Sequence, residues 1–213
     1  MKNERLGRPS LLATMVVGLF AASSPTQAQA AFTWAAPNHR PISGEPGSTN
    51  ESGTTDPGFA LRSIAWGESN DNPRFVRAEA RKLCHGSCTG GTRHLSYLSL
   101  ANHPEWANQL DKTVSVGAGR YITAIQVCMS PHSNRSDRKV KGIRLWGATI
   151  SPNGDVQRQP EVREQRRFRC RANGWSERRS CMGNRVAVGL LVHRNGSRGM
   201  TGVALQCARV ESL

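Results

Sequence analysis

Apolar positions recur with a period of two over much of the second half of the chain. Val186, Val188, Leu190 and Val192 fall on one face of a strand. Val203, Leu205 and Cys207 fall on one face of its partner, expected from Met200 to Val210, and Asn195-Gly196 between them is a hairpin signal. Tyr121, Ile122, Ile125 and Val127 supply β-formers for a strand over 120–128. Another strand is expected over 140–150, after the polar loop 130–139 and before the turn Ser151-Pro152-Asn153-Gly154. The first half is less regular. Strands are expected over 59–66, 94–100 and 113–116, with a turn at 70–73 and a tight loop at 84–91. A helix is expected over 74–83, because Ala78-Glu79-Ala80 favours helix and Phe75, Val76 and Ala80 make a weak stripe. A turn at 102–106 opens one helical turn towards Leu110. Residues 31–58 are rich in Pro, Gly, Ser, Thr and Asn without apolar period, and read as a disordered leader. The fold class is all-β with one short helix.

The two C-terminal hairpins, near 119–150 and 183–210, resemble one another. Arg120–Val127 aligns with Arg185–Val192 at an offset of 65, and Lys141–Leu145 aligns with Thr201–Leu205 at an offset of 60. Each unit is a strand, a polar loop, then a strand with Gly before an apolar-x-Leu step, as expected for one supersecondary unit used more than once. A third, eroded copy is expected around 60–100. Together they make a single β-rich domain over 59–213.

The N-terminus changes the compartment. Lys2, Arg5 and Arg8 precede an apolar run from Leu11 to Ala22, and Ala28-Gln29-Ala30 follows. That is the plan of a signal peptide over 1–30, with cleavage expected before Ala31 and a secreted or periplasmic product. The run falls short of the roughly 20 residues of a membrane span, and no later segment is long and apolar enough to cross. All six cysteines follow residue 30, which in an exported chain predicts up to three disulfides among 15 possible pairings.

Charge narrows the partners. The full chain carries +14, and the chain beyond residue 30 carries +12. Between Pro131 and Arg185, 14 Lys or Arg face five Asp or Glu. The densest stretch holds Arg163, Arg166, Arg167, Arg169 and Arg171 around Cys170, the expected polyanion-binding residues. Such a field draws acidic glycans, cell-wall polymers, lipid headgroups and, non-specifically, nucleic acid.

The run Cys181–Leu190, followed by Gly202–Cys207, resembles the repeat of vitelline membrane outer layer proteins. Those proteins are β-prisms: three Greek-key sheets about a pseudo-threefold axis, a shape shared with jacalin-type lectins. The resemblance implies a β-prism-like architecture and a link to secreted coats and carbohydrate. It covers about 30 residues well and about 30 more loosely. The chain departs from it at Cys128, which lies near a hairpin loop, and shows no acidic sugar-binding loop. With Val192 opposite Met200, antiparallel counting sets Arg185 opposite Cys207, so Cys181–Cys207 is the first choice of disulfide. Cys84–Cys88 is the second, and Cys128–Cys170 then remains.

Few residues offer chemistry. Cys84, His85 and Cys88 could ligate a metal with His94 or His103 as a fourth group, but the disulfide reading is preferred and neither metal nor cofactor is expected. Glu161 and Glu164 sit among arginines, Glu105 and Asp111 are isolated, and no catalytic motif is present. Catalysis is less expected than binding. Trp175, beside Arg178 and Arg179, is the best candidate for a ligand-stacking aromatic, and Trp106 is a second. The leading reading is a secreted, lectin-like protein that binds carbohydrate or another surface polymer. The alternatives are a basic envelope protein holding polyanions, and a hydrolase or transferase acting on cell-wall glycans.

Overall fold

The structure is a computed structural model. It describes residues 31–70, 72–86, 88, 90–98, 103–132, 134, 137–167, 169–196 and 199–213, so the expected signal over 1–30 lies outside the described residues. Three long hairpins carry it. The first pairs β5 (Phe59–Ser69) with β6 (Asn72–Lys82), flanked by β7 (Thr92–Leu98) along β6 and β8 (Lys112–Ser115) along β5. The second pairs β9 (Tyr121–Met129) with β10 (Val140–Ile150), flanked by β11 (Val156–Arg166) and β12 (Arg179–Ser180) in the same manner. The third pairs β13 (Arg185–Arg194) with β14 (Met200–Ser212). Its flanking strands come from the start of the described chain. Along β14 lie β1 (Phe32–Trp34), β2 (Asn38–His39) and β3 (Ser43–Gly44), and along β13 lies β4 (Thr49–Thr54). All these pairings are antiparallel.

The three sheets are equivalent in detail. Ile64 faces Ala78, Ile125 faces Leu145 and Leu190 faces Leu205. Two residues before each, the hairpin's first strand carries one extra residue: Arg62, Thr123 and Val188. The carbonyl of each extra residue accepts a backbone N–H from the neighbouring segment: Val116 to Arg62, Cys181 to Thr123 and Thr55 to Val188. The bulges keep Leu61, Ile122 and Ala187 on the same buried face as the residues beyond them. β5, β9 and β13 pack on one another, so the three inner faces share one core that includes Trp66, Ile125, Val127 and Leu190. The architecture is β-prism-like and almost wholly β, with a 3₁₀ turn at Pro104–Gln109 as its short helix.

Three sequence expectations change. The leader over 31–58 is instead the four strands that complete the third sheet; short edge strands bury few side chains and leave little period to read. The helix over 74–83 is β6, in which Val76, Ala78 and Ala80 are buried while Arg77, Glu79 and Arg81 are less so, a period of two that outweighs local propensity. The last hairpin pairs Val192 with Val203 and Ala187 with Cys207, because its bulge and a longer tip shift the count. The disulfides are Cys84–Cys88, Cys128–Cys170 and Cys181–Cys207. Cys181, just beyond β12, thereby ties the second sheet to β14 of the third instead of closing its own hairpin.

Candidate binding site

The hairpin tips gather at one end of the molecule. There the β9–β10 connection meets the segment 171–176 and the segment 43–45. Cys128–Cys170 pins the arginine-rich segment to the last turn of β9, and an isolated bridge sets Trp175 opposite Cys128. Gly174 makes this approach possible: a Cβ there would lie 2.9 Å from the Met129 carbonyl oxygen and 3.2 Å from Cys128 Sγ. Ser176 Oγ shares a 2.8 Å hydrogen bond with Ser43 Oγ, which ties the N-terminal segment to the same corner.

These elements enclose a pocket of about 310 Å³, with Glu45, Ser130, His132, Arg138, Arg171 and Trp175 among its lining. Arg138 braces it, donating from Nε to the His132 carbonyl at 2.9 Å and from Nη1 to Glu45 Oε1 at 3.3 Å. A wider groove of about 630 Å³ adjoins, lined by Arg166, Arg167, Arg169 and Arg171 with Cys170. Pocket and groove share Pro131, His132 and Arg171, and so form one recess.

The expected arginines divide by partner. Arg167 is turned inward, 16 % exposed, against Glu68 and Asp111, and is structural. Arg163 pairs with Glu161 at 2.7 Å and lies outside the recess. Arg166 is 57 % exposed with Glu164 3.5 Å away. Arg169 takes a positive φ of 77°, a conformation an L residue pays for with about 1–2 kcal/mol, and the neighbouring disulfide holds the chain there. Arg171 is exposed and forms no ion pair among the described residues. Glu161, shared with Arg120, is held below the usual carboxylate range chiefly by the Arg120 hydrogen bond.

The expected aromatic platform differs from its sequence reading. The Arg144 guanidinium covers one face of the Trp175 ring at 3.8 Å, and the ring edge packs on Gly142, where a Cβ would approach it to 3.2 Å. Arg144 is itself fixed by Glu164 at 2.6 Å. Trp175 therefore walls the pocket and is not open on both faces. Arg178 stacks over Trp146 at 4.4 Å, and Arg179 bonds the Ile42 carbonyl and Glu177, so neither lines the recess. Trp106 stacks on His103 at 3.9 Å and meets Phe75 edge-on, against the first sheet and away from Trp175. Glu45, Ser130, His132 and Arg138 escaped the sequence reading; the flanking Cys128 and Cys170 were the one sign that this region is held in place.

No protein-family model matches the sequence, and no curated protein matches it. Among solved structures the chain is similar to Calystegia sepium agglutinin, at 13 % identity and a TM-score of 0.41 over 79 % of this chain and 95 % of that one. It is also similar to Calsepa lectin in complex with a bisected glycan (12 %, TM-score 0.43, 81 % and 97 %). With a biantennary N-glycan bound, the same lectin gives 16 % and 0.44 over 81 % and 98 %. Overlaps this loose carry no residue and no ligand from those proteins to this chain.

Proposed function

We propose that this chain is an exported protein that binds carbohydrate or a related surface polymer, without turning it over, in the recess at the hairpin tips. The observation that carries the reading is the continuity of the two parts. A polar pocket walled by Trp175 opens at His132 and Arg171 into a groove of arginines. The pocket is large enough for a small ligand, and the groove supplies cations for acidic groups on the same polymer. The pocket's one lining carboxylate, Glu45, is engaged by Arg138, which favours binding over hydrolysis. Three disulfides suit an oxidising compartment. The Cys181–Cys207 repeat motif supports a kinship with vitelline membrane outer layer proteins.

The test is binding of the chain from Ala31 to neutral and acidic glycans at low and high salt, beside Arg171→Gln. An acidic glycan held at both salts, and weakened about tenfold by Arg171→Gln, is the expected result; one charge-assisted contact is worth about that much. The arginine groove also favours a second reading, plain polyanion binding. That reading predicts equal capture of any polyanion, including DNA, with affinity falling about ten- to fortyfold for a fourfold rise in salt if two or three charges are neutralised. Hydrolysis of any glycan in the panel would overturn both.

A further inference from the structure

The opposite end of the hairpins holds a second cationic recess. It lies where β5 and β9 begin and β6 ends, and it is lined by Arg62, Arg81, Lys82, Arg120 and Tyr121 with Gly86 and Cys88 of the disulfide loop, Gly90 and Gly119 as rim. Tyr121 and Met129 are the two ends of β9, so this recess and the hairpin-tip pocket stand roughly 25 Å apart. We propose that it is a binding site for a single tetrahedral oxyanion, sulfate or phosphate.

The argument starts from Arg62. It is the bulge residue of β5, and the equivalent bulge residues are uncharged. Thr123 satisfies itself on the Trp146 carbonyl, and Val188 is buried in an apolar cluster. Arg81 likewise stands where the other hairpins carry Ala148 and Ala208. Two cations thus occupy, in one sheet of three, positions that the same backbone fills elsewhere with neutral side chains. A requirement of the fold would apply to all three.

Arg62 is also incompletely satisfied. Its Nε is buried and has no hydrogen-bond partner among the described residues. A buried donor without an acceptor is costly, and a bound oxyanion supplies the acceptor. No acid lines the recess among the described residues. Glu79 engages Arg81 and Glu161 engages Arg120 from outside, and no ion pair of Arg62 or Lys82 is formed among the described residues. The Tyr121 hydroxyl, committed to the Lys82 carbonyl at 2.5 Å, fixes the floor.

Size selects the ligand class. The recess is about 70 Å³. That exceeds the roughly 10–15 Å³ that admits one water and falls well below the ~300 Å³ of a small-molecule pocket. One oxyanion fits, free or as the substituent of a polymer, and a sugar ring does not. The proposal stands apart from the carbohydrate reading of the hairpin-tip end.

Titration calorimetry of the chain from Ala31 with sodium sulfate and with phosphate, each against chloride at matched ionic strength, reads the site. One sulfate or phosphate per chain is expected, weakened about tenfold by Arg62→Gln and about threefold by Lys82→Gln. Lys112→Gln in β8, which lines neither recess, should bind as the parent does. A heavily sulfated polysaccharide that competes with inorganic sulfate would assign the source to a polymer, and failure to compete would assign it to the free ion. The proposal is overturned if sulfate and phosphate give no more heat than chloride, or if Lys82→Gln and Arg62→Gln both bind as the parent does. Should Arg62→Gln not fold, exposed Lys82 decides alone.

Discussion

His193 is the residue whose chemistry the fold sets most plainly against the solvent. It lies in β13, between Asn50 of β4 and Gly202 of β14, and neither ring nitrogen has a partner among the described residues. Burial holds its pKa below the usual 6.5. The unfolded chain therefore takes up this proton at a higher pH than the folded one, so the stabilisation is complete above pH 6.5 and is lost as pH falls below it. Unfolding free energies from urea titrations between pH 7.5 and 5.5 should fall by a slope of at most about 1.4 kcal/mol per pH unit, and His193→Gln should flatten that slope. A parent without a slope in this range would mean that the imidazole reaches solvent. Other residues show how far a sequence discloses contacts. Cys181 and Cys207 were legible as partners, yet the counting that paired them assumed a hairpin without a bulge. Trp175 stood out in the sequence as an aromatic between two cysteines, whereas its Arg144 lid did not, because thirty-one residues separate a ring and a guanidinium that meet only once β10 pairs with β9.

At the scale of the element, the long central strands were readable and their flanks were not. β9, β10, β13 and β14 are buried along nearly their whole length, and their runs of Val, Ile, Leu and Ala bounded by turn signals mark them as strands in the sequence. β11 reads as a charge run, since most of its residues are at the surface; charge is how an edge strand avoids pairing with another molecule. β1 to β4 are shorter still. Their importance is out of proportion to their signal. β4 covers β13 over six residue pairs, from Gly189–Thr54 to Arg194–Thr49, and Phe32 of β1 is buried in the apolar cluster with Val186 and Val210. Removing residues 31–58 would expose both flanks of the third hairpin, their unpaired backbone included. The chain 59–213 is expected to lose cooperative thermal unfolding and to bind a hydrophobic dye. A sharp two-state transition in that fragment would show that the third sheet needs only its hairpin.

The whole molecule is a ring of three like sheets closed by the two ends of the described chain, and this makes the point of opening a matter of indifference to the contacts. Each sheet keeps one order: outer strand, second hairpin strand, first hairpin strand, outer strand. In two sheets the outer strands follow their hairpin along the chain, and in the third they precede it. The Leu213 N–H donates to the Ala31 carbonyl at 3.0 Å, so the ends to be joined are already adjacent. A permutant that links 213 to 31 through a short glycine-serine bridge and opens between Gly90 and Gly91 makes the third sheet contiguous and moves the closure to the first, with β7 and β8 now beginning the chain and β5 and β6 ending it. It keeps the three disulfides, because Cys84 and Cys88 remain on one side of the cut. Loop-closure entropy changes slowly with length, so its stability should lie within about 1–2 kcal/mol of the parent, read from urea unfolding, with the same far-ultraviolet spectrum. If it collapses into an expanded state without cooperative unfolding, the three sheets are not interchangeable, and β1 to β4 act by folding against β13 and β14 as the last step of a fixed order.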